Sequence, residues 1–241
     1  MSTKKIGIIE LSVIPMRAEP SDKAEVVNQV LFGETFDIIQ ENEKWSQIKL
    51  KHDDYIGWID KKQWKEVPQH QQTHNVVKEL FQMITKDDKT IYAPMGSFVE
   101  KRKLNKLSIK NSILHDAKLF LETPYFWGGR TFSGIDCSGF TQVVFRVNGI
   151  NILRDAYQQA TQGETIAFEN ARNEDLAFFE NADKRITHVG IVFKEEKKLK
   201  IIHASGKVRI DTLTKKGIYS EETQTQTHTL AFIKRIDKNV G

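Results

Sequence analysis

The chain has one cysteine, Cys137, in 241 residues, so no internal disulfide can staple it and its fold must rest on a buried core. Five prolines and 14 glycines are too few for a collagen-like or low-complexity chain. No apolar stretch approaches the roughly 20 residues of a membrane span, so no membrane partner is expected. Charge of one sign is also scarce: 36 Lys plus Arg against 32 Asp plus Glu leaves +4, interspersed along the chain, and nucleic acid is not an expected partner. No repeat recurs at a fixed period. What is present is ordinary for a folded chain, 39% hydrophobic and 10% aromatic, and its length allows one large domain or two small ones. Lys4 and Lys5 precede an apolar run from Ile6 to Ile14, but Glu10 and Ser12 interrupt it and no small-residue cleavage site follows. The run reads as a first strand, and a cytoplasmic location is the expectation.

From Ile6 to about Val67 short strand patterns alternate with turn signals: Leu11–Pro15, Glu25–Leu31, Thr35–Gln40, Trp45–Leu50 and Tyr55–Ile59. So many short strands in so little chain suggest a small barrel, because closure removes sheet edges. Residues 68–108 read as a connecting segment, opening on the polar Pro68–Gln72 and ending near the basic Lys101–Lys106. Within it Val76, Val77, Leu80, Phe81 and Ile84 fit a helical turn or two better than a strand, and Ile91–Gly96 reads as extended chain. From residue 109 to 241 the pattern is mixed. A helix around Ile113, Ala117, Phe120 and Leu121 stops at Thr123-Pro124, a second opens at Cys137 and ends at Asn148-Gly149, and strands follow over 176–179, 188–193, 199–204, 208–213 and 229–236.

A single cysteine is most often a small buried hydrophobe. Cys137, however, follows a glycine-rich loop and opens a helix, where unpaired amides and the positive dipole end favour a thiolate. A nucleophile needs a base. Of the seven histidines, His52, His70, His74, His115 and His228 lie in polar or amphipathic contexts that suit the surface. His188 and His203 lie on strands joined by Glu195–Lys198. A turn symmetric about residues 196 and 197 makes them diagonal neighbours on one face, roughly 7–8 Å apart at Cα. Cys137 as nucleophile, His188 as base and His203 as the group that holds the tautomer would complete a triad. A zinc site on the same three residues is the rival chemistry, without any Cys-x-x-Cys or His-Glu-x-x-His spacing to support it. No metal or other cofactor is expected.

Pro124-Tyr125-Phe126-Trp127-Gly128-Gly129 followed by Gly134-Ile135-Asp136-Cys137-Ser138-Gly139-Phe140 resembles the catalytic segment of the NlpC/P60 cysteine peptidases. Leu153-Arg154-Asp155-Ala156, Asp175–Phe179, Thr187–Ile191 and Ile202–Ser205 follow in the family's order. Asn173-Glu174 stands where a Pro-Gly pair is usual, and Leu153 where a proline often precedes the arginine. Upstream, Arg17-Ala18-Glu19-Pro20, Leu31–Glu34 and Gly57-Trp58-Ile59 are similar to bacterial SH3-type domains. The resemblance implies an α+β chain, a papain-like catalytic domain over 109–241 behind an all-β SH3-type barrel over 1–67. It implies cleavage of peptidoglycan stem peptides at γ-D-glutamyl bonds, as in the γ-D-glutamyl-L-diamino acid endopeptidases. In that branch the SH3-type domain walls off the cleft and the free amine of L-Ala in L-Ala-γ-D-Glu-diamino acid is read by acidic and hydroxyl groups. Matched position by position, these are Glu19, Tyr55, Asp136, Ser138 and Asp155, and Tyr125 is placed to donate to the oxyanion. The partner is then a small peptide, and a monomer is expected. Two other readings stay open: a wall-binding module without catalysis, and an acyltransferase on the same scaffold.

Overall fold

A computed structural model describes residues 5–68, 74–100 and 112–237. The polar run 69–72, the basic run 101–106 and the boundary expected near 109 lie outside these residues. The chain divides into two compact units, one of residues 1–109 with 127–132, the other of residues 110–126 with 133–241.

The first unit is all-β. β1 (Ile6–Ile8), β2 (Val13–Arg17), β3 (Val26–Leu31), β4 (Thr35–Glu41), β5 (Trp45–Leu50), β6 (Ile56–Asp60) and β7 (Lys65–Val67) form one antiparallel sheet in the order β3-β2-β6-β5-β4-β1-β7. Period-2 burial drives it: Ile14 and Met16 on β2, Phe36 on β4, and Ile48 and Leu50 on β5 turn to one shared core with Ile9, Val30 and Ile59. Trp64 closes that core edge-to-face on Phe36, ring centroids 5.8 Å apart.

The expected helical turns at 76–84 are strands instead. β8 (His74–Val76) pairs with β11 (Phe98–Glu100), and β9 (Phe81–Lys86) with β10 (Lys89–Pro94). Asp87 and Asp88 both have positive φ (48° and 58°), the conformation of a two-residue hairpin turn, and aspartate tolerates it better than most residues. The apolar spacing had mimicked a helix because Phe81 and Met83 face outward, leaving Ile84 as the buried residue of β9. His52 is also inside, not at the surface: its Nε2 lies 3.1 Å from Asp53 and 3.6 Å from Glu34. Glu34 is held in turn by a bidentate ion pair with Arg130, both side chains fully buried. Arg130 belongs to the two-residue β12 (Arg130–Thr131), within the 127–132 segment that packs in this unit.

In the second unit α1 (Ile113–Lys118) and the two-residue β13 (Gly134–Ile135) precede α2 (Cys137–Val147), which buries every one of its residues. After α3 (Ala156–Gln159) come β14 (Glu164–Ile166), β15 (Leu176–Glu180), β16 (Ile186–Glu195), β17 (Lys198–Ser205), β18 (Lys207–Thr214), β19 (Gly217–Ser220) and β20 (Thr225–Arg235). The sheet order is β14-β20-β15-β16-β17-β18-β19, and β19 also pairs with β20, so six antiparallel strands return on themselves. Ala177, Phe179, Val192, Ile201, Leu213, Ile218 and Ile233 fill the inside of this ring. Helix α2 packs on the outer face of β16 and β17. The architecture is the expected α+β one.

Candidate active site

Cys137 is the first residue of α2, and Asp136 before it is the N-cap: its carboxylate accepts the Gly139 N–H at 2.6 Å. The same carboxylate takes both arms of the Arg154 guanidinium, at 3.0 Å on Oδ1 and 2.5 Å on Oδ2, and Arg154 also donates to Ser138 Oγ at 2.9 Å. Asp136, Ser138 and Arg154 are all buried, so this is a dry, bidentate pair beside the cysteine. Gln159 ties the arrangement to α3. Its amide donates to the carbonyls of Ser138 and Leu153, while Thr141 donates to its oxygen.

The helix start does not lower the thiol as expected. Burial pushes Cys137 up to about 12, and the Asp136 carboxylate pushes the same way, outweighing the backbone hydrogen bonds at Val189 and Ser138 and the Arg154 charge. The positive dipole end is already met by the Asp136 cap, so little of it is left for the sulfur.

The strand register brings the two histidines together. Ile191 pairs with Ile202 and Glu195 with Lys198, so β16 and β17 turn about residues 196 and 197. His188 Nε2 lies 2.8 Å from His203 Nδ1. Gly190, opposite this pair, is glycine for a reason of space: a Cβ there would lie 2.8 Å from His203 Cβ and 2.7 Å from Ile201 Cδ1. Burial drives the His188 imidazole well below its usual range, with His203 and His228 adding to the effect; burial lowers His203 as well, against the pull of Asp211. A raised thiol and lowered imidazoles mean that both partners rest neutral.

Sequence reasoning missed the groups that surround this pair. His203 Nε2 lies 3.1 Å from Asp211 Oδ2, and Arg209 holds Asp211 through an NH2 hydrogen bond of 3.0 Å to Oδ1 and an Nε contact of 2.8 Å to Oδ2. The signal was available: β17 and β18 fold back at Gly206, pairing His203 with Arg209, so Asp211 is the diagonal neighbour on the same face. His228, expected at the surface, stacks on His188 with ring centroids 4.3 Å apart. It arrives on β20 from 40 residues downstream, and no local pattern announces it. With both ring nitrogens of His203 engaged by His188 and Asp211, that imidazole has no lone pair to offer a metal.

The remaining residues of interest lie on other elements. Tyr125, half-buried, has its phenol raised by burial and then by Cys137 and Asp136, which puts its hydroxyl in the electrostatic reach of the thiol. Asp155 caps α3, its N–H donated to Gln158 Oε1 at 3.0 Å, and its carboxylate accepts from the Tyr157 hydroxyl. In the first unit Glu19 is exposed in the turn after β2, its carbonyl accepting the Ser21 N–H, and Tyr55 packs partly buried against the sheet core.

Residues 122–227 match the NlpC/P60 family, and residues 16–63 match the bacterial dipeptidyl-peptidase SH3 domain. The γ-D-glutamyl-L-lysine dipeptidyl-peptidase of Bacillus subtilis is 38% identical over 112 residues, 46% of this chain and 38% of that protein. Dipeptidyl-peptidase 6 of Lysinibacillus sphaericus is 25% identical over 221 residues, 72% of this chain and 81% of that protein. The match thus spans well under half the length of the Bacillus subtilis relative. A crystal structure of an NlpC/P60 family protein from Bacillus cereus shares the fold with a TM-score of 0.72 at 17% identity, covering 95% of this chain and 99% of that one. No helix among the described residues is long and apolar enough to cross a membrane.

Proposed function

From the match of residues 122–227 to the NlpC/P60 family and of residues 16–63 to the bacterial dipeptidyl-peptidase SH3 domain, we propose that the chain is a cysteine peptidase hydrolysing the γ-D-Glu–diamino acid bond of peptidoglycan-derived peptides. The observation that carries this reading is a buried cysteine opening a helix in the same domain as two imidazoles in hydrogen-bond contact. With His188 Nε2 turned to His203, its Nδ1 is the nitrogen left for Cys137. Nδ1 takes the thiol proton as the sulfur attacks the γ-carbonyl carbon. The developing oxyanion is met by the Tyr125 hydroxyl, which its raised pKa keeps protonated and able to donate. His188 then passes its proton to the leaving amine of the diamino acid, and the thioester that remains is hydrolysed by a water deprotonated at the same nitrogen.

Specificity for a free L-Ala amine is the finer part of the proposal, and it rests on the motif resemblance at Glu19, Tyr55, Asp136, Ser138 and Asp155. Of these, Asp136 is already engaged by Arg154 and the helix cap, and we assign it the task of holding that scaffold. A requirement for a free amine implies that an amide-cleaving reaction has first released the peptide from its glycan anchor, which fits a role in recycling soluble peptides. The test is turnover of L-Ala-γ-D-Glu-L-Lys against its N-acetyl form by purified protein. Loss of one charge-assisted contact predicts a fall of roughly 10- to 150-fold in kcat/KM for the acetylated peptide, and Cys137→Ala should abolish turnover of both. Near-equal values for the two peptides remove the amine specificity, and an active Cys137→Ala removes the nucleophile.

A further inference from the structure

Burial keeps both imidazoles neutral, so each carries a single ring proton whose position the neighbours decide. Asp211 Oδ2, 3.1 Å from His203 Nε2, is an acceptor without a proton, so that nitrogen is the N–H of His203. Nδ1 of His203 is then a bare acceptor, and the contact of 2.8 Å to His188 Nε2 requires that His188 carry its proton on Nε2. His188 Nδ1 is left with a lone pair. We infer that Asp211 is a positioning residue which, two hydrogen bonds away, fixes the tautomer that makes His188 a base. This rests on the cysteine-peptidase reading and extends the machinery by one group beyond His203. Arg209 sets the carboxylate in turn through its NH2 bond to Oδ1, and Glu222 and Ser220 hold that guanidinium at 2.7 and 3.0 Å.

The chain of bonds makes a prediction that a packing role does not. In Asp211→Asn the Arg209 NH2 hydrogen bond holds the amide oxygen at the Oδ1 position, and the amide nitrogen falls at the Oδ2 position, where Arg209 Nε lies 2.8 Å away without a hydrogen bond and is the group that gives way. That nitrogen donates to His203 Nε2, the His203 proton moves to Nδ1, and His188 must accept at Nε2 and carry its own proton on Nδ1, where it cannot act as a base. Asp211→Ala removes the bias without reversing it. The near-isosteric asparagine should therefore be the worse variant, losing about 100- to 10,000-fold in kcat with KM within about twofold, against about 10-fold for alanine. Histidine tautomers read by long-range ¹H–¹⁵N NMR should show Nε2–H on both His188 and His203 in the unsubstituted protein, and Nδ1–H in Asp211→Asn. An asparagine variant as active as the alanine one, or a His203 carrying Nδ1–H in the unsubstituted protein, overturns the inference; the second readout holds even if a variant fails to fold. Cys137→Ala run alongside separates this from the parent reading, since an inactive Cys137→Ala beside a fully active Asp211→Asn sinks the relay alone.

Discussion

The Asp136–Arg154 pair offers a perturbation whose two halves pull the Cys137 thiol in opposite directions. Arg154→Met removes the guanidinium from the buried Asp136 carboxylate, which keeps the Gly139 N–H and the Ser138 hydroxyl. Asp136→Asn keeps a serviceable N-cap but takes the bidentate carboxylate away from the buried Arg154, which keeps its bond to Ser138 Oγ. Breaking a buried pair by removing one partner costs roughly 3–5 kcal/mol, and the retained cap contacts place each single variant near the lower end, about 3 kcal/mol. Removing both charges leaves no uncompensated ion, so Asp136→Asn/Arg154→Met should cost no more than either single change. The cycle should return a coupling of about 3 kcal/mol in urea unfolding. The thiol gives an independent readout. Asp136 raises the Cys137 pKa and Arg154 lowers it, so at pH 7 Asp136→Asn should alkylate faster with iodoacetamide than the unsubstituted protein, and Arg154→Met more slowly. Global loosening would speed both. Additive stabilities within about 0.5 kcal/mol, or alkylation rates moving in the same direction, would refute the account of this site.

Three further outcomes follow from the geometry. His228 titrates in the fold at about 4 against 6.5 for a solvated imidazole, so as pH falls from 6.5 the unfolded chain binds a proton that the folded one refuses, and stability is lost down to about pH 4. His188 and His203 act in the same direction, and His228→Asn, measured by urea midpoints at pH 7.5 and 4.5, should flatten the loss by about 1–2 kcal/mol after allowing for the partly exposed ring; parallel curves would contradict this. Gly190→Ala drives a methyl into His203 and Ile201 on the partner strand, and should lower kcat at least 10-fold while shifting Tm by only a few degrees, since only the strand pair needs to part. Glu34→Gln removes the bidentate carboxylate from the fully buried Arg130, with Asp53 the carboxylate still acting on it, and should cost the protein about 3 kcal/mol, recovered in large part by Glu34→Gln/Arg130→Met; a change under 1 kcal/mol in the single variant would show that Asp53 alone balances Arg130.

What could be read from the chain alone divides by the range of the interaction that decides it. The strands of the first unit follow from period-2 alternation, and α2 from the apolar stripe of Phe140, Val143, Val144 and Val147 with its stop at Asn148-Gly149, where Gly149 takes φ 80°. The meeting of His188 with His203 was legible too, because a two-residue turn fixes register by arithmetic. The hairpin at 81–94 was not, since its apolar spacing fits a 3.6-residue period by accident and the decisive signal, two consecutive aspartates able to take positive φ, weighs less than periodicity in a single window. The thiol's pKa was misjudged for a different reason: helix position is written in the sequence, whereas the depth of burial that outweighs it is a property of the assembled core. Arg154 shows the same limit from the other side. Nothing near it in sequence explains why a guanidinium should be 1% exposed, and the explanation, a carboxylate 18 residues upstream that caps the helix bearing the cysteine, exists only once α2 and the turn before α3 are in contact. The sites whose chemistry depends on one hairpin could be placed by counting, and those that depend on three elements meeting could not. Asp211 stands on the boundary: the count about Gly206 would have found it, had the histidine pair been asked what holds its outer nitrogen.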